Sequence, residues 1–165
     1  MNFTPIAKPY LSCRVKHISK YAYSTERIQR EVLKRLIGTA SATEWGIKHS
    51  YSAIANYEQF AESVAVQDYE SLKGYIDRMR HGEKDVLWKG GCKWFAKSSG
   101  TTNDKSKFIP VTPRGLRNIH YRGATDVVAQ YVVNNPSSRI FSGKSLILGG
   151  SHAPNYNLPG TLVGD

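Results

Sequence analysis

The spacing of apolar residues changes once along this chain, near Val86, and that change restricts the fold more than any other feature. From Ser24 onward Ile28, Val32, Leu33, Leu36 and Ile37 share one helical face, with Arg27, Arg30, Lys34 and Arg35 opposite and Gly38 as a stop. A second helix is predicted from Asp68 to His81. Asp68 is its N-cap, Tyr69, Leu72, Ile76 and Met79 are its apolar stripe, and Gly82 ends it. The stretch up to Tyr23 is basic, contains Pro5 and Pro9, shows no sustained period and reads as irregular. Thr39–Thr43 reads as a connector into an aromatic-rich stretch with Trp45, Tyr51, Tyr57 and Phe60.

Beyond Val86 the pattern is that of short strands. Val86-Leu87-Trp88 and Cys92-Lys93-Trp94-Phe95-Ala96 are compact, apolar and bounded by turn residues. Lys107-Phe108-Ile109-Pro110-Val111 follows, its proline favouring a strand edge or end. Thr112-Pro113 then opens what reads as the longest helix, with Leu116, Ile119, Ala124, Val127, Val128, Tyr131 and Val132 as its buried stripe and Asn134-Asn135-Pro136 as its stop. Ser145-Leu146-Ile147-Leu148 reads as a further strand, and Pro159–Asp165 as a loop without a closing element, as if cut. The expected class is therefore α/β: a helical half over 1–85, then a mixed sheet with a long helix over 86–165.

Charge and cysteine content narrow the function classes. With 23 Lys+Arg against 13 Asp+Glu the net charge is +10, which attracts polyanions such as nucleotide phosphates or nucleic acid, or simply solvates a basic face. No apolar stretch approaches the roughly 18–20 residues of a membrane span, and no charged segment leads into an apolar run as in a secretory signal, so no membrane partner is expected. Cys13 and Cys92 form no metal spacing and read as free thiols of a reducing cytoplasm. His17, four residues after Cys13, lacks a third ligand; His49, His81, His120 and His152 are scattered and read as surface or helix-end residues, so no metal site is expected. Trp45, Trp88 and Trp94 read as core or interface anchors.

The chemistry-bearing segment is the run from Phe95 to Pro110. Ser98, Ser99, Thr101 and Thr102 pivot about Gly100, and Lys105 and Lys107 follow, all between two strands. Gly100 lets backbone N–H groups converge on an anion, the hydroxyls donate further bonds, and the lysines supply charge. The same residues are also common in plain hairpin turns. A Walker A loop is excluded, because Asp104 precedes Lys105 where a glycine is required; Gly143-Lys144-Ser145 has Ser138 at the first glycine position and leads into a strand. No G-x-G-x-x-G follows a strand.

Ser98-Ser99-Gly100-Thr101-Thr102, ahead of a lysine and a strand, resembles the phosphate-binding signature of the acyl-adenylate-forming superfamily. With Lys105-Ser106-Lys107-Phe108-Ile109-Pro110-Val111-Thr112 the run is similar to the auxin-responsive acyl-acid amido synthetases and their bacterial relatives. Asp68-Tyr69-Glu70, Tyr75–Met79, Gly82-Glu83, Trp94-Phe95, Asn135-Pro136, Phe141–Lys144 and Leu148–Ser151 agree with that family, so the resemblance covers nearly the whole chain. It departs at Asn103-Asp104, where many relatives place a glycine; asparagine tolerates the same left-handed backbone, and Asn103 enters the site on that ground.

The resemblance implies part of the large N-terminal, nucleotide-binding domain of an acyl-adenylate-forming fold. It implies an enzyme that joins a carboxylic acid to the α-phosphate of ATP with Mg²⁺ and then passes the acyl group to an amino acid. Ser98, Ser99, Thr101 and Thr102 would hold the outer phosphates, Gly100 would give backbone access, and Lys105 or Lys107 would be the charge partner, either being able instead to snorkel from a strand. The implied domain is incomplete, so no amide synthesis by the chain alone is expected. Two other readings stay open: a basic nucleic-acid-binding module, disfavoured because its aromatic residues follow core periodicity, and a truncated, non-catalytic relic.

Overall fold

The computed structural model describes residues 2–98, 106–144, 146, 149–150 and 152–164. Its first element corrects the sequence reading. Helix α1 spans Thr4–Ala40, so the stretch up to Tyr23 is helical rather than irregular, and α1 rather than the later helix is the longest. Pro5 sits in the first turn, where its missing N–H has no helical partner to lose; Pro9 removes one interior bond and the helix continues. Ser24, at φ −140° and ψ 27°, breaks the helical backbone where the amphipathic pattern starts. Gly38 does not end it.

The chain divides into two compact units, 1–28 with 113–149 and 29–112 with 150–165. In the first, Leu11, Ala129 and Val132 are buried, flanked by Ala7, Val15 and Val128. The helix beginning at Pro113 has three parts: α5 (Pro113–Gly115), a π-helical segment (Leu116–Tyr121) and α6 (Arg122–Asn134). Of its expected buried stripe Val132 is buried and Val128 packs beside it, whereas Ile119, Val127 and Tyr131 are 75%, 71% and 49% exposed, and Ala129, outside that stripe, is buried. A π turn adds a residue to the helical repeat, so the buried face beyond it is shifted toward Ala129 and keeps only Val128 and Val132 of the extrapolated stripe.

In the second unit the predicted helix appears as α4 (Tyr69–Arg80), with the Asp68 carboxylate accepting from Ser71 N at 2.8 Å and Gly82 at φ +90° beyond its end. The aromatic-rich stretch folds as α2 (Glu44–Lys48), a 3-10 turn (Tyr51–Ala53) and α3 (Tyr57–Ser63). Of the tryptophans, Trp45 is buried, whereas Trp94 is 48% exposed and is no core anchor. Val86-Leu87-Trp88 is not a strand. The carbonyl groups of Asp85 and Val86 are claimed instead by the start of α2: Glu44 N donates to Asp85 O at 2.8 Å and Trp45 N to Val86 O at 3.0 Å. These bonds satisfy helix N–H groups that would otherwise lack partners.

The sheet has the order β2-β1-β3, with β1 at Trp94–Lys97, β2 at Phe108–Val111 and β3 at Leu162–Gly164. β1 and β2 are antiparallel, Trp94 facing Val111 and Lys97 facing Phe108; β1 and β3 are parallel, Trp94 facing Leu162. Pro110 thus lies on an edge strand, as its missing N–H requires. The C-terminal stretch read as a loop contains β3, whose pairing with β1 is too remote in sequence to be seen locally. Ile76, Met79, Val86, Cys92, Phe95 and Val163 form the buried core between α4 and the sheet. Of the strand expected at Ser145–Leu148, Ser145, Ile147 and Leu148 lie outside the described residues.

Candidate functional site

Strands β1 and β2 are the two sides of a hairpin whose connection is the hydroxyl-rich loop. Just past the strands, Ser98 N donates to Lys107 O at 2.9 Å and Lys107 N donates to Ser98 Oγ at 3.3 Å. Ser98 and Lys107 therefore close the mouth of the loop, and the Ser98 side chain fixes its own exit strand. Ser99, Gly100, Thr101, Thr102, Asn103 and Lys105 lie outside the described residues.

The hairpin is anchored beneath that mouth by aromatic and cationic side chains from remote elements. Phe108 N donates to Tyr69 Oη at 2.9 Å, tying β2 to the start of α4. Lys107 Nζ lies 5.6 Å from the Tyr69 ring centre, and Lys97 Nζ lies 4.3 Å from that of Tyr156. The Arg80 guanidinium stacks 3.7 Å from the Phe108 ring centre, donates from Nη2 to Tyr156 O at 3.1 Å, and has its own backbone carbonyl capped by Thr161 Oγ1 at 2.9 Å. Its Nε is buried without a hydrogen-bond partner among the described residues. Cations over ring faces gain about 0.5–1 kcal/mol where solvent reaches them, and more where it does not.

Two lysines and an arginine thus converge on the loop's base. Against them stand Asp77, whose Oδ1 lies 3.6 Å from Arg80 Nη1, and Asp68, whose carboxyl is held below the usual carboxylate range by its bonds to Ser71 and, more weakly, by the charge of Lys107. Sequence reasoning named Lys107 and passed over Lys97, Arg80 and Tyr156. Lys97 could have been found from its place at the strand–loop junction. Arg80 and Tyr156 are 76 residues apart and carry no local signal.

Elsewhere in this unit, Cys92 is buried, and burial pushes its thiol pKa up. Cys13 is exposed, and neither is in a disulfide. His81 caps α4, and His49 packs on Trp45 while Nδ1 meets Ser63 O at 2.9 Å. His152 makes an isolated bridge with Gly164. Among the described residues no three His, Cys, Asp or Glu side chains come together to hold a metal ion, and no helix is long and apolar enough to cross a membrane.

Known proteins carry related sequences over most of this architecture. An indole-3-acetic acid-amido synthetase of Arabidopsis thaliana, GH3.5, is 25% identical over 122 residues, 72% of this chain and 20% of that protein. A 4-substituted benzoates-glutamate ligase of the same plant, GH3.12, is 27% identical over 107 residues, 64% of this chain and 18% of that protein. The solved structure of the GH3.15 acyl acid amido synthetase superposes with a TM-score of 0.73 at 23% identity, covering 90% of this chain and 26% of that one, which establishes a shared fold. The chain thus spans about a fifth of the length of the curated relatives it matches. The GH3 family N-terminal domain matches residues 14–164, nearly the whole chain, and the chain belongs to that family.

Proposed function

We propose that this chain supplies the phosphate-gripping part of an ATP-dependent amide ligase, which activates a carboxylic acid as its adenylate and transfers the acyl group to an amino acid. The single observation that carries the reading is the hairpin Lys97–Phe108: its hydroxyl-rich connection is closed by the Ser98–Lys107 bonds and underlain by Lys97, Lys107 and Arg80. Hydroxyl, backbone N–H and ammonium donors are the groups that phosphate oxygens accept from, so the donor set fits ATP as a substrate. The names of the relatives, acid-amido synthetases and a benzoate–glutamate ligase, support an acid and an amino acid as the other two substrates.

In this reading Ser98, Ser99, Thr101, Thr102 and Lys105 or Lys107 hold the β- and γ-phosphates, with Gly100 and Asn103 shaping the backbone. Fixed donors stabilise charge as it builds on the departing pyrophosphate, and they need no reorganisation at that moment. Mg²⁺ would come bound to the nucleotide's phosphates and would neutralise part of their charge, leaving the residues named above to contact the remaining phosphate oxygens. The absence of a membrane-length helix among the described residues and the free thiol at Cys13 fit a cytoplasmic setting. The other substrates' pockets are not assigned to this chain, and pyrophosphate exchange by the chain alone is expected to be nil.

Isothermal titration with MgATP tests the reading on the chain itself. Replacing a charge-assisted donor in Ser99→Ala is expected to weaken binding about tenfold or more, from a loss of roughly 1.5–3 kcal/mol. Equal heats for both proteins, or none for either, would sink the assignment in favour of a relic.

A further inference from the structure

A second place where cationic and aromatic side chains converge lies in the unit formed by 1–28 and 113–149, apart from the β1–β2 hairpin. Tyr10 and Arg14 of α1, Arg117 and Tyr121 of the π-helical segment, and Arg122 and Thr125 of α6 line a depression of about 240 Å³. The π geometry is informative here. Such turns are rare and recur at functional sites, because the extra residue per turn swings side chains out of the ordinary helical rows. In this helix it falls at Leu116–Tyr121, and two of the lining residues, Arg117 and Tyr121, come from it.

The charges are unevenly committed. Arg14 Nε and Nη2 donate to Asp126 at 2.5 and 2.8 Å, so that guanidinium is held in place as a fixed wall. Arg117 and Arg122 have no ion-pair partner among the described residues. Three guanidinium groups therefore face one carboxylate, which leaves an excess matching a dianion better than a monoanion. Tyr10 and Tyr121 are 67% and 59% exposed, two large rings left open to solvent beside those cations. The depression is below the ~300 Å³ at which pockets for drug-sized ligands begin, and it is open to solvent, so it accommodates a group about one ring in size.

We propose that this depression binds a small aromatic phosphate monoester. Arg117 and Arg122 take the phosphate oxygens through their planar N–H forks, and the Tyr10 and Tyr121 rings flank the ligand's ring. The proposal does not depend on the ATP reading of the β1–β2 loop, since none of its residues belongs to that unit.

Phenyl phosphate titrated into the full 165-residue chain by calorimetry is the direct probe, with inorganic phosphate, benzoate and a mixed-sequence single-stranded oligonucleotide as comparators. Phenyl phosphate is expected to bind more tightly than inorganic phosphate or benzoate. Arg117→Ala and Tyr121→Ala are each expected to weaken it about tenfold, while Arg114→Ala, an exposed cation outside the depression, leaves it unchanged. Circular dichroism of each variant shows that the fold is kept. The proposal is overturned if phenyl phosphate gives no heat or if inorganic phosphate binds as tightly. It is also overturned if Arg114→Ala costs as much as Arg117→Ala, or if the oligonucleotide outcompetes every small ligand.

Discussion

At the scale of single residues, a close approach of backbone to backbone constrains Gly46. A methyl group built there would stand 2.0 Å from the Ala40 carbonyl oxygen, far inside van der Waals contact, and the obstacle is main chain rather than a side chain that can swing away. The contact exists because Thr43, buried, donates through Oγ1 to Ala40 O at 2.7 Å and accepts from Gly46 N at 3.0 Å, folding the end of α1 onto the start of α2. Gly46→Ala would ordinarily favour a helix. Here it is expected to destabilise by about 1–3 kcal/mol, the range for overpacked sites, read as a lower urea midpoint with unchanged slope. A stabilised variant would show that the two chain segments can separate freely.

At the scale of elements, α1 and α6 are joined by the Arg14–Asp126 pair. The Asp126 carboxyl is held below the usual carboxylate range, first by its hydrogen bonds to Arg14 and then by that group's charge, with smaller help from Arg122 and His17. A carboxyl with a depressed folded-state pKa adds stability above its unfolded value of about 3.9, and that contribution vanishes as pH falls through the folded value. Asp126→Asn is therefore expected to lower the thermal midpoint at neutral pH, with the gap to the parent closing below about pH 4. A gap that stays constant from neutral to acidic pH would mean the pair contributes no charge-dependent stability. The same elements show what a sequence can reveal. Helix α4 was legible because its cap, its stripe and its terminal glycine all lie within a short span. The residues of α1 before Ser24 were not: Ala7, Leu11 and Val15 recur every four residues, but Pro5, Pro9 and the exposed apolar side chains Phe3, Ile6 and Tyr10 among them mask that stripe. β3 was hidden for a different reason: three residues among glycines become a strand only through a partner far back in the chain. The β1–loop–β2 hairpin and its family resemblance were legible from local chemistry. Arg80 and Tyr156, which brace it, were not, because folding alone brings them together.

At the scale of the whole chain, the two units differ in how much each buries. The unit formed by 29–112 and 150–165 has a core of Ile76, Met79, Val86, Cys92, Phe95 and Val163, whereas the other buries Leu11, Ala129 and Val132. Local opening free energy rises with the apolar contacts that must be broken, so backbone amides in α6 are expected to exchange with deuterium at lower free energy than those of β1. Truncation separates the two further. Phe95→Ala removes a fully buried ring, with a cost of about 3–5 kcal/mol, and is expected to lower protection across β1, β2 and α4. Val132→Ala removes two methyl groups beside Leu11 and is expected to lower protection in α6 while β1 amides keep theirs. Should Val132→Ala depress β1 protection by as much as α6 protection, the chain would open as one cooperative body, and the smaller core would be sharing the stability of the larger.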